Sequence, residues 1–151
     1  MRLMSLFRSC LLLFSLHAAT AYCGPVETHY GAAEVREEAG SYAVFFNGKE
    51  IARYDGNGID LYRIIPKGDS EYLIVDIGTN GLHCRHEFAV LEITSATAVK
   101  FSKPFGECNE LVGAKYLSTG AVIELRSPYG TGQKQRVKRY RWANGKIARQ
   151  K

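Results

Sequence analysis

Four stretches of this chain gather residue types that can do chemistry at close spacing. The first is His83-Cys84-Arg85-His86, with two histidines and a cysteine in four positions. That is a zinc vocabulary. On a strand, however, His83 and His86 point to opposite faces and cannot chelate one ion without a kink. The second is Asp55-Gly56-Asn57-Gly58-Ile59-Asp60, which offers oxygen ligands. A calcium loop of the EF-hand type needs a carboxylate at its twelfth position, and here that position is Pro66, so the stretch reads as turn. The third is a set of close acid pairs, Glu37 with Glu38 and Glu107 with Glu110, of a kind common on any solvated surface. The fourth is a basic run in which Lys134, Arg136, Lys138, Tyr140 and Trp142 alternate with Arg139 and Arg141. As a strand this gives a cationic face with interleaved aromatics, a pattern that binds polyanions. The same run also suits a solvated edge strand, where Lys and Arg discourage sheet-to-sheet aggregation. No G-x-S-x-G occurs, and no cysteine has a credible base partner. The sequence therefore predicts no catalytic site, no metal and no cofactor.

The compartment follows from the first residues. Arg2 and Arg8 precede a short apolar run at residues 10–16, and Ala19-Thr20-Ala21 has the small-x-small form of a cleavage site. The run is far shorter than the ~20 residues that span a bilayer. Residues 1–21 are thus expected to be a signal peptide, the mature chain to start at Tyr22, and the protein to be periplasmic or secreted, with no membrane span. Lipidation at Cys23 is the competing reading; bulky Tyr22 stands where lipoprotein signals place a small residue. Charge is unevenly spread. Residues 22–125 carry nine Lys/Arg against fifteen Asp/Glu, whereas residues 126–151 carry nine Lys/Arg and no acid. Export makes nucleic acid an unexpected partner for that basic end. An anionic envelope polymer or a protein surface fits better.

The elements that must position these groups read as strands. Residues 22–40 are polar, with Glu34, Glu37 and Glu38, and suit a helical turn or two or a loose segment. Residues 41–54 form the clearest hairpin, around Asn47-Gly48, the preferred pair for a two-residue type I′ turn. That turn sets Val44 opposite Ile51 and Tyr42 opposite Arg53. Residues 59–65 form a strand, and residues 72–77 a strand apolar on both faces, as a central strand should be. Residues 82–94 form another, whose apolar parity changes near Val90 and Leu91 and so predicts a bulge or bend. A short strand at 97–101 follows. Residues 111–117 and 121–126 pair around Ser118-Thr119-Gly120. Residues 134–142 and 146–148 pair around Asn144-Gly145, with Trp142 facing Ile147 and Tyr140 facing Arg149. The two Asn-Gly hairpins echo each other, through a blade-like repeat or through convergent hairpin chemistry. Residues 41–151 are expected to be one all-β antiparallel meander domain: a sandwich, a barrel or a small propeller-like stack.

An exported chain can keep disulfides. Cys10 leaves with the leader, and Cys23 lies in a terminal tail. Cys84 and Cys108 are expected to pair; the alternative is two small buried residues. The middle of the chain, with Gly78-Thr79-Asn80-Gly81, Cys84, Phe105-Gly106-Glu107-Cys108 and Glu110-Leu111, resembles a loose group of short exported proteobacterial proteins. These carry a strand, a Gly-rich turn, a cysteine, and then F-G-x-C before an acidic-apolar pair. Where members more often have Pro after the first cysteine, this chain has Arg85. The resemblance implies the disulfide and the β fold and brings no activity with it.

The functional expectation is a non-enzymatic binding protein. Its partner is another protein, such as a peptidoglycan hydrolase that it inhibits or confers immunity to. The alternative partner is an anionic envelope polymer held on the basic strand. The expected contact residues are Thr79, Asn80 and Gly81 in one loop, Ser127 and Tyr129 in a second, and Arg136, Lys138, Arg139, Tyr140 and Arg141 on the strand beside it.

Overall fold

The computed structural model describes residues 24–64, 68–81, 84–128 and 137–151. The expected signal peptide lies outside them. Twelve strands are formed among the described residues. The first sheet is β1 (Val26–Thr28), β2 (Gly31–Glu38), β3 (Ser41–Phe46) and β4 (Lys49–Tyr54). The second is β5 (Gly58–Ile64), β6 (Glu71–Gly78), β7 (His86–Ile93) and β8 (Val99–Phe101). The third is β9 (Glu110–Leu117), β10 (Gly120–Arg126), β11 (Val137–Ala143) and β12 (Lys146–Arg149). Each sheet is an antiparallel meander in which chain neighbours are also sheet neighbours, so the expected all-β meander is what forms.

The three sheets stack face to face, and the second lies in the middle. One core joins the first sheet (Ala33, Val44, Phe46) to Leu73, Val75, Ile77, Leu91 and Ile93 of the second. The other joins Tyr72, Ile74, Phe88 and Val90, on the opposite face of the second sheet, to Ala121, Ile123, Leu125 and Trp142 of the third. Strand parity explains the split, because alternate residues of β6 and β7 point to opposite cores. It also corrects the expected bulge near Val90 and Leu91. The β6–β7 ladder runs without a shift, with Ile74 opposite Val90 and Leu73 opposite Leu91. The apolar parity changes because both faces are buried.

Turn chemistry sets the hairpins. Asn47 and Gly48 have φ of 49° and 77°, and Asn144 and Gly145 have 51° and 73°, the two positive values that a type I′ turn requires. The β11–β12 register is as expected, with Trp142 opposite Ile147 and Tyr140 opposite Arg149. The β3–β4 register differs. A shift between Val44 and Phe45 places Val44 opposite Ala52 and Tyr42 opposite Tyr54. Ile51 is the extra residue, and it packs against the first core. Both Asn-Gly hairpins close a four-stranded sheet, joining its third strand to its fourth.

Residues 22–40, expected to be loose or helical, contain β1 and β2. β1 pairs with β2 and β2 with β3, and the β2–β3 turn is Ala39-Gly40, at φ of 52° and 80°. Alanine gives no sequence signal for such a turn. Asn47 then fixes the first sheet. Its Oδ1 accepts from the Ala32 amide over 3.1 Å, and its Nδ2 donates to the Tyr30 and Ala96 carbonyls over 3.1 and 2.9 Å. Ala96 lies in the turn between β7 and β8, so this one amide links two sheets. Gly31 leaves room for it, since a Cβ there would stand 1.8 Å from Asn47 Oδ1. Glu71, only 3% exposed, forms a second link. It pairs with Arg63 at 2.8 Å and accepts from the His29 amide at 3.0 Å.

Candidate functional site: a polar cleft at one end of the middle sheet

On the face of the second sheet that meets the third, apolar residues give way to polar ones toward one end. Along β6 the order on this face is Tyr72, Ile74, Asp76, and along β5 it is Ile64, Tyr62, Asp60. Ile74 lies in the second core, and beyond it the face opens into a cleft of about 520 Å³. The strands supply Gly58, Asp60, Asp76, Gly78 and His86, and the loops supply Asn57, Thr79, Asn80, Gly81 and Arg85. No described residue of β9 to β12 lines it.

The antiparallel register assembles the charged groups. Asp60 stands directly opposite Asp76, and His86 opposite Gly78, one pair further along the same face. His86 Nδ1 hydrogen-bonds Asp76 Oδ1 at 2.8 Å, and the His86 side chain is half-exposed. The His86 ring also stacks on Phe88 at 6.3 Å, and Phe88 in turn packs on Phe105. Asp76 is 8% exposed. Burial pushes its carboxyl above the ordinary value of 3.8, His86 pulls it back by hydrogen bond and by charge, and Asp60 adds to the rise.

Hydrogen bonds hold Thr79 at the cleft. The Thr79 amide donates to the Arg85 carbonyl at 2.9 Å, and Thr79 Oγ1 donates to the Cys84 carbonyl. Asn57 Nδ2 donates to the Thr79 carbonyl at 3.1 Å. The Asn57 amide donates to the Gly78 carbonyl at 2.9 Å, and Gly56 permits that approach, since a Cβ there would lie 2.1 Å from the same oxygen. The stretch 55–60 thus forms turn and strand, as its glycines imply. Cys84 and Cys108 form the expected disulfide, and the Cys108 amide donates to the His86 carbonyl at 3.2 Å.

Of the residues singled out in the sequence, Thr79, Asn80 and Gly81 line the cleft. Ser127 follows β10, and Lys138, Arg139, Tyr140 and Arg141 lie on β11, so these belong to another sheet. Tyr129 and Arg136 lie outside the described residues, as does His83. The β11 parity turns Tyr140 and Trp142 inward. Tyr140 packs on Phe105 at 4.9 Å, and Trp142 is 1% exposed. Arg139 and Arg141 face outward, Arg139 to Glu124 at 2.8 Å and Arg141 to Thr119 Oγ1 at 2.8 Å. The aromatics are core, and the outward face of the strand is cationic alone. Among the described residues no group of three or more His, Cys, Asp or Glu side chains is placed to hold a metal ion, and no helix is long and apolar enough to cross a membrane.

Sequence reasoning missed Asp60 and Asp76 as a pair. The available signal was an acid inside each of two apolar strands, IDLYRI and EYLIVDIG. Compared with family models, curated proteins and solved structures, the chain matches none.

Proposed function

We propose that this protein is a non-enzymatic binding module of the cell envelope that holds a protein partner at the cleft end of its middle sheet. The partner class is a cell-wall hydrolase, which the module inhibits or confers immunity to. One observation carries this reading: Thr79, Asn80 and Gly81 line an open polar cleft, and Thr79 is held there by hydrogen bonds to Asn57, Cys84 and Arg85. A residue already held in place loses little entropy on binding, which favours a tight complex. A half-exposed histidine and a mostly covered aspartate inside the cleft supply directional polar contacts.

A second reading, an anionic envelope polymer on β11, is supported by the outward Arg139, whose side chain is 62% exposed. It is weakened by the inward turn of Tyr140 and Trp142, which removes the stacking platform such binding uses.

The test is capture of periplasmic proteins on the immobilised mature chain, followed by assay of the recovered hydrolase on peptidoglycan. One hydrolase recovered near equal stoichiometry, and inhibited by the wild type but not by an Asn80→Trp variant, supports the proposal. Retention only of polymer, lost in salt and lost in Arg136→Glu with Arg139→Glu, overturns it in favour of the second reading.

A further inference from the structure

The third sheet turns one face to the core and the other to solvent, and its register shows what the outer face carries. In β10, Ala121, Ile123 and Leu125 are core, so Val122, Glu124 and Arg126 point outward. Their cross-strand partners put Glu110 and Lys115 of β9 and Val137, Arg139 and Arg141 of β11 on the same face. Lys146 of β12 joins them opposite Ala143. Five exposed cations, Lys115, Arg126, Arg139, Arg141 and Lys146, thus share this face with two acids, Glu110 and Glu124. Among the described residues only Arg139 of the five forms an ion pair, with Glu124 at 2.8 Å. The outer face of the first sheet is built otherwise. There Arg36 pairs with Glu34, and Arg53 with Glu38 and Glu50 at 2.7 and 2.6 Å, so each of these cations is neutralised where it stands. Val137, 44% exposed, stands open among the cations of the third sheet.

We infer that the outer face of the third sheet lies against an anionic bilayer surface, its lysines and arginines on lipid phosphates and Val137 in the headgroup boundary. Three observations select a bilayer over a linear polyanion. The cations come from all four strands, set about 4.8 Å apart, rather than from one row, so they match a charged plane. Val137 gains nothing from a hydrated polymer, but it leaves water at the boundary between headgroups and acyl chains. Tyr140 and Trp142, on which polymer rings would stack, point into the core. Each Lys or Arg near an anionic membrane surface strengthens binding about fivefold. This inference goes beyond the docking reading and does not rest on it. No described residue of β9 to β12 lines the cleft, so a chain held by this face keeps the cleft open.

The experiment is co-sedimentation of the full mature chain with vesicles of equal parts phosphatidylglycerol and phosphatidylcholine, with vesicles of phosphatidylcholine alone as control. Binding to soluble inorganic polyphosphate is measured beside it by calorimetry. The expected result is binding to the mixed vesicles only, weakened by salt. Arg141→Glu with Lys146→Glu should bind them at least about tenfold more weakly. Val137→Ser should bind the vesicles several-fold more weakly and leave any polyphosphate binding unchanged. Lys49→Glu with Lys103→Glu makes the same change in net charge away from the third sheet and should keep near wild-type binding. All five side chains are exposed, so the variants keep the fold. No vesicle binding, equal binding to the two vesicle types, or an equal loss in the two charge-reversal pairs overturns the inference. Polyphosphate bound more tightly than the mixed vesicles, with Val137→Ser binding the vesicles as wild type does, overturns it and assigns the face to a linear polyanion.

Discussion

The Trp142 indole N–H donates to Glu92 Oε2 over 2.9 Å, tying β11 of the third sheet to β7 of the middle one. The Tyr72 hydroxyl reaches the other oxygen of Glu92 at 3.4 Å. Trp142 is almost fully buried, so its replacement removes both packing and a bond to a charged group. Trp142→Phe should cost about 2 kcal/mol and Trp142→Ala about 3–5 kcal/mol in urea denaturation followed by circular dichroism. The chain has one tryptophan, so in the wild type its fluorescence reports docking of the third sheet directly.

The two Asn-Gly turns should respond differently to the same change. Asn47 makes three side-chain hydrogen bonds, one of them to a second sheet. Asn144 makes none among the described residues and only supplies positive φ. Asn47→Gly keeps the backbone freedom and loses the bonds, at a cost of about 1–2 kcal/mol, whereas Asn144→Gly should change stability by less than about 0.5 kcal/mol. Denaturation midpoints of the two variants decide it.

Ala39 sits at φ 52° in the β2–β3 turn, a region that costs a residue with a Cβ about 1 kcal/mol. Ala39→Gly and Ala39→Asn should both raise stability by up to about 1 kcal/mol. A fall in thermal midpoint for both variants contradicts this account of the turn.

Removing the disulfide should act globally and locally. Cys84 and Cys108 are 24 residues apart. In the chain-entropy treatment, loss of that link costs about 3 kcal/mol. In the double Cys→Ser variant the Thr79 amide, bonded to the Arg85 carbonyl one residue from Cys84, should exchange with solvent faster than amides within β6. Uniform exchange across both regions would show that the link does not hold the cleft loop.

Asp76 gives the chain a pH signature. Its folded-state value lies above 3.8, chiefly through burial, so the folded chain binds this proton more tightly than the unfolded chain. The cost of ionising it is absent below the unfolded value, grows as pH rises through the interval up to the folded value, and is fully present above that. Asp76→Asn keeps an acceptor for His86 and removes the cost. The stability of the variant relative to wild type should therefore rise as pH is taken from about 3 to 7, read by urea denaturation at each pH. A constant difference across that range contradicts it.

Much of the fold was legible because local chemistry and tertiary structure agree. The Asn-Gly pairs at 47–48 and 144–145 named their turns, and β6, apolar on both faces from Tyr72 to Val75, named the central strand. β2 was not legible, since its alternation rests on Ala33 and Val35 among acids and its turn on an alanine. The parity change at Val90 was visible but ambiguous. A bulge and a strand buried on both faces write the same letters, and only the presence of a third layer separates them. The cleft was half legible. Its loop was marked by glycine and threonine, but Asp60, Asp76 and His86 lie far apart in sequence, and nothing short of the strand register places them together.

The middle sheet has a consequence for how the chain matures. Each sheet is a contiguous stretch, so each can form early from near neighbours. Synthesis runs from the N-terminus, and the first two sheets are complete while the third is still being made. During that interval Ile64, Tyr72, Ile74, Phe88 and Val90 form a bare oily surface with nothing yet made to cover it. The last forty or so residues act as the lid of their own chain's nascent form, and a truncation there leaves a sticky two-layer fragment rather than a smaller domain.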